Sequence, residues 1–499
     1  MADNALADAG LGAQVCSAVG SVSGRRPAAA GAACSRGGLY ASGMRLYNTL
    51  TRTVDEFSPR EAGRVGMYVC GPTVQDVPHL GHARAVIVPD VLRRYLEWTG
   101  LEVLHVRNVT DIEDKIIARA EAEGRMAAAV ADHYGRVYDE QIARLGVLPP
   151  HIVPRATGHV LEMIELIERL IEVGSAYPAG GDVYFAVRSF AGYGKLSGRS
   201  VDDLRAGARV DPDERKRDPL DFALWKAAKA GEPSWPSPWG PGRPGWHIEC
   251  SAMAVKYLGD GFDIHAGGLD LQFPHHENEI AQFEAASGRQ FARWWVHNGL
   301  LNIGAEKMSK SVGNIITLAE AIDGHGADVL RLYYLQAHYR SPVEFSEERL
   351  VEAGTAYARW LAFLRAVGDI EPSAAGSEPD DARRRFVAAM DDDLSTPQAL
   401  AVLFDLVSAG NAHLAAGRRA EAAALRGAFT ELAAVLGFGL ERSERPTSVA
   451  PLVELLLELR EQARARRDFA AADAIRERLA AAGVVVEDTS EGARWHVGG

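Results

Sequence analysis

Cys70, Cys250, His275 and Glu279 are the residue types that a zinc ion takes as ligands: soft thiolates, an imidazole nitrogen and a carboxylate oxygen. His275 and Glu279 are spaced so that one helix face could carry both. Cys70 lies on a Gly-flanked turn shortly before His79-Leu-Gly-His82. Two imidazoles at a helix start can donate to phosphates, helped by the helix dipole. Lys307-Met-Ser-Lys-Ser311 adds two lysines on a flexible loop, able to clamp pyrophosphate as negative charge moves onto it. In combination these residues point to ATP-driven activation of a sulfur-bearing substrate.

Each piece alone has a plainer reading. An isolated cysteine is usually a small buried hydrophobe, and a Lys/Ser loop is usually solvated. A histidine pair such as His79 and His82 often serves structure alone, and His275 and His276 could be merely polar residues at a helix start. The ordered set is far more specific than any member. Two other motifs fail on inspection. His276-Glu-Asn-Glu-Ile280 lacks the second histidine of a metalloprotease helix. Gly240-Pro-Gly-Arg-Pro-Gly245 fits a dinucleotide pattern, but it follows no predicted strand and its prolines remove N–H donors. Gly194-Lys195 is followed by Leu196, so there is no Walker loop.

The elements that must position these residues alternate. Val65–Cys70 reads as a buried strand ending in a turn, His82–Trp98 as a helix and Leu101–Asn108 as a strand. Thr110-Asp-Ile-Glu113 has capping-box spacing and is expected to open the next helix. Strand, helix, strand, helix implies a parallel sheet with right-handed crossovers. Pro149-Pro150 marks a break. The following stretch reads as an insertion between two halves of one nucleotide fold, and the second half resumes after the Pro- and Trp-rich segment 233–244. The expected division is a low-complexity tail over 1–43, catalytic halves over 44–150 and 239–345, an inserted connective domain over 151–238, a helical bundle over 346–445, and a small α+β unit over 446–499. Pro89, inside the first helix, should bend or break it.

At 499 residues the chain is too long for one core. Its 47% hydrophobic and 24% charged residues are an ordinary globular balance. No apolar run approaches the roughly 18 residues of a membrane span. A net charge of −13 argues against wholesale coating of nucleic acid while allowing a local basic face. Four cysteines are too few for a disulfide scaffold and fit a reducing, cytoplasmic setting. The tail is rich in Ala, Gly and Ser; Arg25-Arg26 only faintly suggests an export signal, and Met44 is the expected functional start.

The ordered motifs Tyr68–Thr73, His79–His82, Arg107–Asp111, Gly245–Ala252, Phe273–Glu279 and Lys307–Ser311 resemble the cysteinyl-tRNA synthetases, a family of class I aminoacyl-tRNA synthetases. The likeness runs from Arg45 to Trp495. It implies a Rossmann-like parallel-sheet catalytic domain in which Cys70, Cys250, His275 and Glu279 hold one zinc ion that receives the substrate thiolate. Thr110 and Trp246 would line the amino-acid pocket. His79, His82, Lys307 and Lys310 would carry the chemistry on the ATP phosphates, with Asp270 near the ribose and His297 to Gly299 near the adenine. Partners would be ATP with Mg²⁺, L-cysteine and tRNA(Cys), acting on a monomer. Zinc selection would answer the serine problem, because pocket shape alone discriminates poorly between near-isosteres. Four protein ligands normally close a zinc site, so Glu279 is expected to bind weakly or move. Gln75 and Leu269 depart from the family's usual tyrosine and serine.

A related ligase family joins cysteine to the amino sugar of a mycothiol precursor, but it typically lacks a terminal tRNA-reading unit. Here Arg464–Arg476 and Glu487–Trp495 match that unit, and its arginines 460, 464, 466, 467, 476 and 478 could meet phosphates or bases. An inert tRNA-binding relative with structural zinc is disfavoured by intact His79–His82 and Lys307–Ser311.

Overall fold

The computed structural model describes residues 43–202, 214–303, 306–307, 316–368, 370, 376–440, 450–482, 484–489 and 492–497. Residues 1–42 of the expected tail, 203–213 of the expected inserted domain, and Lys310 lie outside the described residues.

The chain opens with an antiparallel pair, β1 (Arg45–Asn48) and β2 (Thr53–Glu56). The first parallel unit follows: β3 (Arg64–Val69), α1 (Leu80–Trp98), β4 (Glu102–Arg107), α2 (Asp114–Glu123) and α3 (Ala127–Arg144). After α4 (Val160–Glu172), the strands β5 (Ala176–Ala179), β6 (Asp182–Phe185), β7 (Phe222–Ala227) and β8 (Gly242–Pro244) form a separate antiparallel sheet. The rejected glycine motif thus contains a short strand, with Arg243 pairing Lys226 on β7. The second parallel unit is α5 (Trp246–Leu258), β9 (Phe262–Gly268), α6 (Glu277–Ser287) and β10 (Ala292–Asn298).

The parallel sheet runs in the order β10-β9-β3-β4 with every pair parallel. Helices cover both faces, so β9 is buried along its whole length, even at Asp263 and His265. One core cluster packs α1 and the later helices on one side, through Val65, Met67, Leu80, Ile87, Leu92 and Val296. A second packs α4, α5 and α6 on the other, through Tyr68, Val106, Met253, Phe262 and Trp295. The order reverses between β3 and β9: one crossover leads from β3 to β4, the other from β9 to β10. In open α/β sheets the crevice beyond the strand carboxyl ends at such a switch point is the ligand site.

Two expectations need correction. Helix α1 runs from Leu80 to Trp98 with Pro89 inside it, so the break expected as one outcome at Pro89 does not occur. Burial along most of its circumference, with Ile87, Val91, Leu92 and Tyr95 fully enclosed, holds it against the lost N–H. Thr110 does not cap α2. The cap is Glu113, whose carboxylate accepts from Lys115 N, and Thr110 is drawn instead into the sheet crevice.

Beyond β10 come β11 (Leu301–Ile303), β12 (Glu306–Lys307), α7 (Leu318–His325), α8 (Ala327–Leu335) and β13 (Val343–Phe345). The helices α9 (Glu347–Val367), α10 (Glu378–Asp391), α11 (Thr396–Ala415) and α12 (Arg419–Val435) pack through Trp360, Phe363, Phe386 and Phe429. Last are α13 (Ala450–Ala465), α14 (Phe469–Ala481) and the hairpin β14 (Val484–Thr489) and β15 (Gly492–Val497), with a small core of Val453, Leu457, Leu479 and Val484.

Candidate active site

Cys70 directly follows β3, and its N–H donates to Ala266 O of β9 (3.1 Å), so it sits at the switch point. Gly71 is obligatory there. A Cβ would lie 1.6 Å from Asn108 O, because the ends of β3 and β4 nearly touch and Gly71 N donates to Asn108 Oδ1. Cys250 comes from the second turn of α5. His275 and Glu279 arrive through an irregular turn over Gln272–His276 that leads into α6. Cys70 Sγ lies 3.7 Å from Cys250 Sγ and 3.6 Å from Glu279 Oε1, and His275 Nε2 lies 3.1 Å from Glu279 Oε1.

These separations fit one ion. Donors around a tetrahedral zinc, at about 2.3 Å for sulfur and about 2.0–2.1 Å for nitrogen, stand roughly 3.3–3.8 Å apart. A second set, Cys70, His265, His276 and Glu279, also clusters within 4.8 Å. It is the poorer match. His265 Nε2 instead holds the carboxylate's other oxygen, Oε2, at 2.8 Å, and His276 Nε2 is 4.0 Å from Oε1. The electrostatics favour a cation. Burial, then the neighbouring Cys250, pushes the Cys70 thiol up, and burial pushes the Glu279 carboxyl up. Burial holds His275 neutral and brings His265 down to about 3, so neither can neutralise these groups by protonation. His275 Nδ1 meets His247 Nδ1 (2.9 Å), which orients its ring, and Trp246 stacks on it at 4.3 Å and 21°.

The two histidines at the start of α1 form a capping box. His79 Nδ1 accepts from Gly81 N and His82 Nδ1 accepts from His79 N, both at 3.1 Å. With each Nδ1 an acceptor, the proton of each neutral ring resides on Nε2, making it a donor. Burial and the neighbouring His79 bring His82 down to about 3, so it stays neutral. The segment after the lysine loop is stitched to this turn, with Leu80 N on Ile316 O (3.2 Å) and Leu318 N on Pro78 O (2.9 Å). Lys307 closes β12 opposite Asn302.

The remaining expected residues spread around this centre. Thr110 Oγ1 donates to Glu249 Oε2 (2.8 Å). Asp270 is exposed just past β9. Both ring nitrogens of His297 are engaged within the protein, Nδ1 with Thr49 Oγ1 and Nε2 with His276 Nδ1, each at 2.8 Å. Gly299 follows β10 and donates to Tyr339 O (2.8 Å). Sequence reasoning missed Glu249, His247 and His265. Glu249 is wholly buried, its carboxyl is pushed up by burial and then by Cys250, and its Oε1 has no partner among the described residues. A glutamate next to a candidate ligand on a helix rich in apolar residues was the available signal.

A doubly covered parallel sheet, an active crevice at its switch point and a helix-start histidine pair tied to a lysine loop define a class I aminoacyl-tRNA synthetase. Comparisons agree. The family described as "tRNA synthetases class I (C) catalytic domain" matches residues 56–355, the DALR domain matches 385–441, and the "Cysteinyl-tRNA ligase anticodon binding domain" matches 448–495. Among solved structures, Mycobacterium tuberculosis methionyl-tRNA synthetase in complex with methionyl-adenylate superposes with a TM-score of 0.56 at 18% identity. The match covers 82% of this chain and 96% of that one, a likeness of fold. The cysteine–tRNA ligase of Trichlorobacter lovleyi is 49% identical across 91% of this chain and 99% of its own length. That of Thioalkalivibrio sulfidiphilus is 50% identical across 91% and 100%. The chain belongs to the cysteine–tRNA ligase family. No helix among the described residues is long and apolar enough to cross a membrane.

Proposed function

We propose that the chain activates L-cysteine with Mg²⁺-ATP as cysteinyl-adenylate and passes the acyl group to tRNA(Cys), acting as a cytoplasmic monomer. Cys70, Cys250, His275 and Glu279 would hold zinc. When bound, zinc supplies a soft partner for a thiolate, which favours cysteine over the hydroxyl of serine. His265 Nε2 holds Oε2 of Glu279 separately from Oε1, so Glu279 would be the ligand able to yield. Thr110 and Trp246 line the amino-acid pocket, and the buried Glu249 behind Thr110 supplies an acceptor for the substrate ammonium.

The cysteine carboxylate oxygen attacks the α-phosphorus in line, and the bond to the β-phosphate breaks to release pyrophosphate. The Nε2–H groups of His79 and His82, the first-turn N–H groups of α1, and Lys307 and Lys310 balance charge on the phosphates. Asp270 meets the ribose, and His297 and Gly299 border the adenine, His297 through its backbone. A hydroxyl of the terminal tRNA ribose then attacks the acyl carbon, and AMP leaves. No side chain forms a covalent bond, so positioning carries the rate.

The observation that carries this reading is the meeting of four zinc-type donors beside the histidine capping box. The anticodon-domain match over 448–495 favours tRNA over an amino sugar as acceptor. The test is cysteine-dependent ATP–pyrophosphate exchange and charging of tRNA(Cys), with zinc measured on the same preparation. Exchange without zinc, or ligation of an amino sugar in place of tRNA, would refute it.

A further inference from the structure

The turn Asp392-Asp-Leu-Ser395, which separates α10 from α11, has no role in the chemistry above. It is nevertheless tightly built. Asp393 and Leu394 both adopt left-handed backbone, with φ of 53° and 54°, although neither is glycine. Such a pair persists only where its surroundings over-determine it. Leu394 is buried in the bundle core, and Asp393 is 4% exposed and points the other way, toward the catalytic domain.

The Asp393 carboxylate is saturated by groups that lead to the nucleotide side. Oδ1 accepts from Tyr339 OH and from Tyr47 N, both at 2.8 Å. Oδ2 accepts from Arg340 Nε at 2.8 Å, with Arg340 Nη2 at 2.6 Å, and the Asp393 carbonyl meets His338 Nε2 at 2.9 Å. Three consecutive residues, His338 to Arg340, are therefore gripped by one turn. The buried Arg84, two residues past His82 on α1, donates to the carbonyls of the same loop. Its partners are His338 O (3.3 Å), Tyr339 O (3.1 Å), Ser341 O (2.5 Å) and the neighbouring Leu300 O (2.9 Å). Gly299 fits into this loop with no room to spare: its N–H donates to Tyr339 O, and a Cβ would lie 2.4 Å from Ser341 O. Tyr47 belongs to β1, and the adjoining Thr49 holds His297 Nδ1.

We propose that Asp393 and Arg84 are positioning residues that together clamp the loop His338–Ser341. They thereby set the adenine wall, Gly299 and His297, at a fixed distance from the phosphate-binding turn of α1. Arg84 ties that wall to the helix carrying His79 and His82, while Asp393 ties it to the helical bundle. The shape of the ATP site thus depends on a bundle residue that touches no substrate. The inference rests on the nucleotide assignment proposed above.

Asp393→Asn is the informative change. Asparagine tolerates left-handed backbone, so the turn survives, but the ion pair with Arg340 and one acceptor are lost. Tyr339→Phe removes a single hydroxyl and serves if Asp393→Asn fails to fold. In pyrophosphate exchange, KM for ATP should rise on the order of tenfold in Asp393→Asn and a few-fold in Tyr339→Phe, with KM for cysteine and zinc content unchanged. An unchanged KM for ATP in both variants would overturn the proposal, and so would equal losses for ATP and cysteine, the mark of a merely unstable protein. Direct binding of ATP by calorimetry separates the two levels. A chain that binds ATP without cysteine-dependent exchange refutes the functional reading, whereas weaker ATP binding by Asp393→Asn would still support the clamp.

Discussion

The buried pair Asp90–Arg331 offers a quantitative test of what holds α1 in register with the helices behind it. Both side chains are fully enclosed and their charged atoms are 2.8 Å apart. Asp90 also accepts from Arg94 Nε and Leu148 N, both at 2.9 Å. Arg331 further donates to Leu436 O (3.2 Å) and Leu145 O (3.0 Å), so it joins α8 to the ends of α3 and α12. Asp90→Asn keeps the shape but leaves a guanidinium buried without its counter-charge, which should cost about 3–5 kcal/mol. Arg331→Met leaves Asp90 with the partly exposed Arg94, so about 1.5–3 kcal/mol is expected, the scale of a hydrogen bond to a charged group. The double variant removes the pair together and should be less damaging than the sum of the singles by at least about 2 kcal/mol. Urea unfolding followed by tryptophan fluorescence, run as a double-mutant cycle, reads these differences. Additive losses, or a cost for Asp90→Asn below about 1 kcal/mol, would refute the claim that the pair acts as a buried electrostatic lock.

Three further outcomes are expected. His79→Asn keeps an N-cap acceptor but loses the Nε2–H donor, so stability should hold within about 1 kcal/mol while the exchange rate falls roughly 10²–10³-fold; equal damage to both would make His79 purely structural. Phe469 is 61% exposed beside Arg467, whose backbone is left-handed (φ 59°). If it stacks an unpaired base, Phe469→Ala should raise KM for tRNA about five- to a hundredfold and leave pyrophosphate exchange untouched. His82, His247, His265 and His297 are each brought down to about 3, mainly by burial. Their folded values lie below the unfolded value near 6.5, so the unfolded chain takes up protons first on acidification. Stability is then complete above pH 6.5 and declines as pH falls toward 3. For metal-free protein each of these histidines should remove about 1.4 kcal/mol by pH 5.5; unfolding curves that do not change between pH 7.5 and 5.5 would contradict this.

The sequence by itself determined the local chemistry. The strand and helix alternation, the zinc-type donors and the histidine pair follow from residue type, spacing and period, all readable over a few residues. Family resemblance tied the same residues to the cysteine–tRNA ligases. Tertiary structure decided the rest, because the decisive contacts join segments far apart in sequence. Cys70 and Cys250 are 180 residues apart, and Cys70 and Glu279 are 209 apart. Which donors share one point, and that His265 holds Oε2 of Glu279 while His275 meets Oε1, depends on how β3, β9 and α5 pack. Thr110 has the spacing of a cap, yet a buried acceptor on Glu249 competes for its hydroxyl and wins. Pro89 breaks a helix in isolation but not one enclosed on most sides. Asp393 sits in what reads as a polar interruption between helices. Only packing makes its carboxylate the meeting point of β1, the loop His338–Arg340 and the bundle.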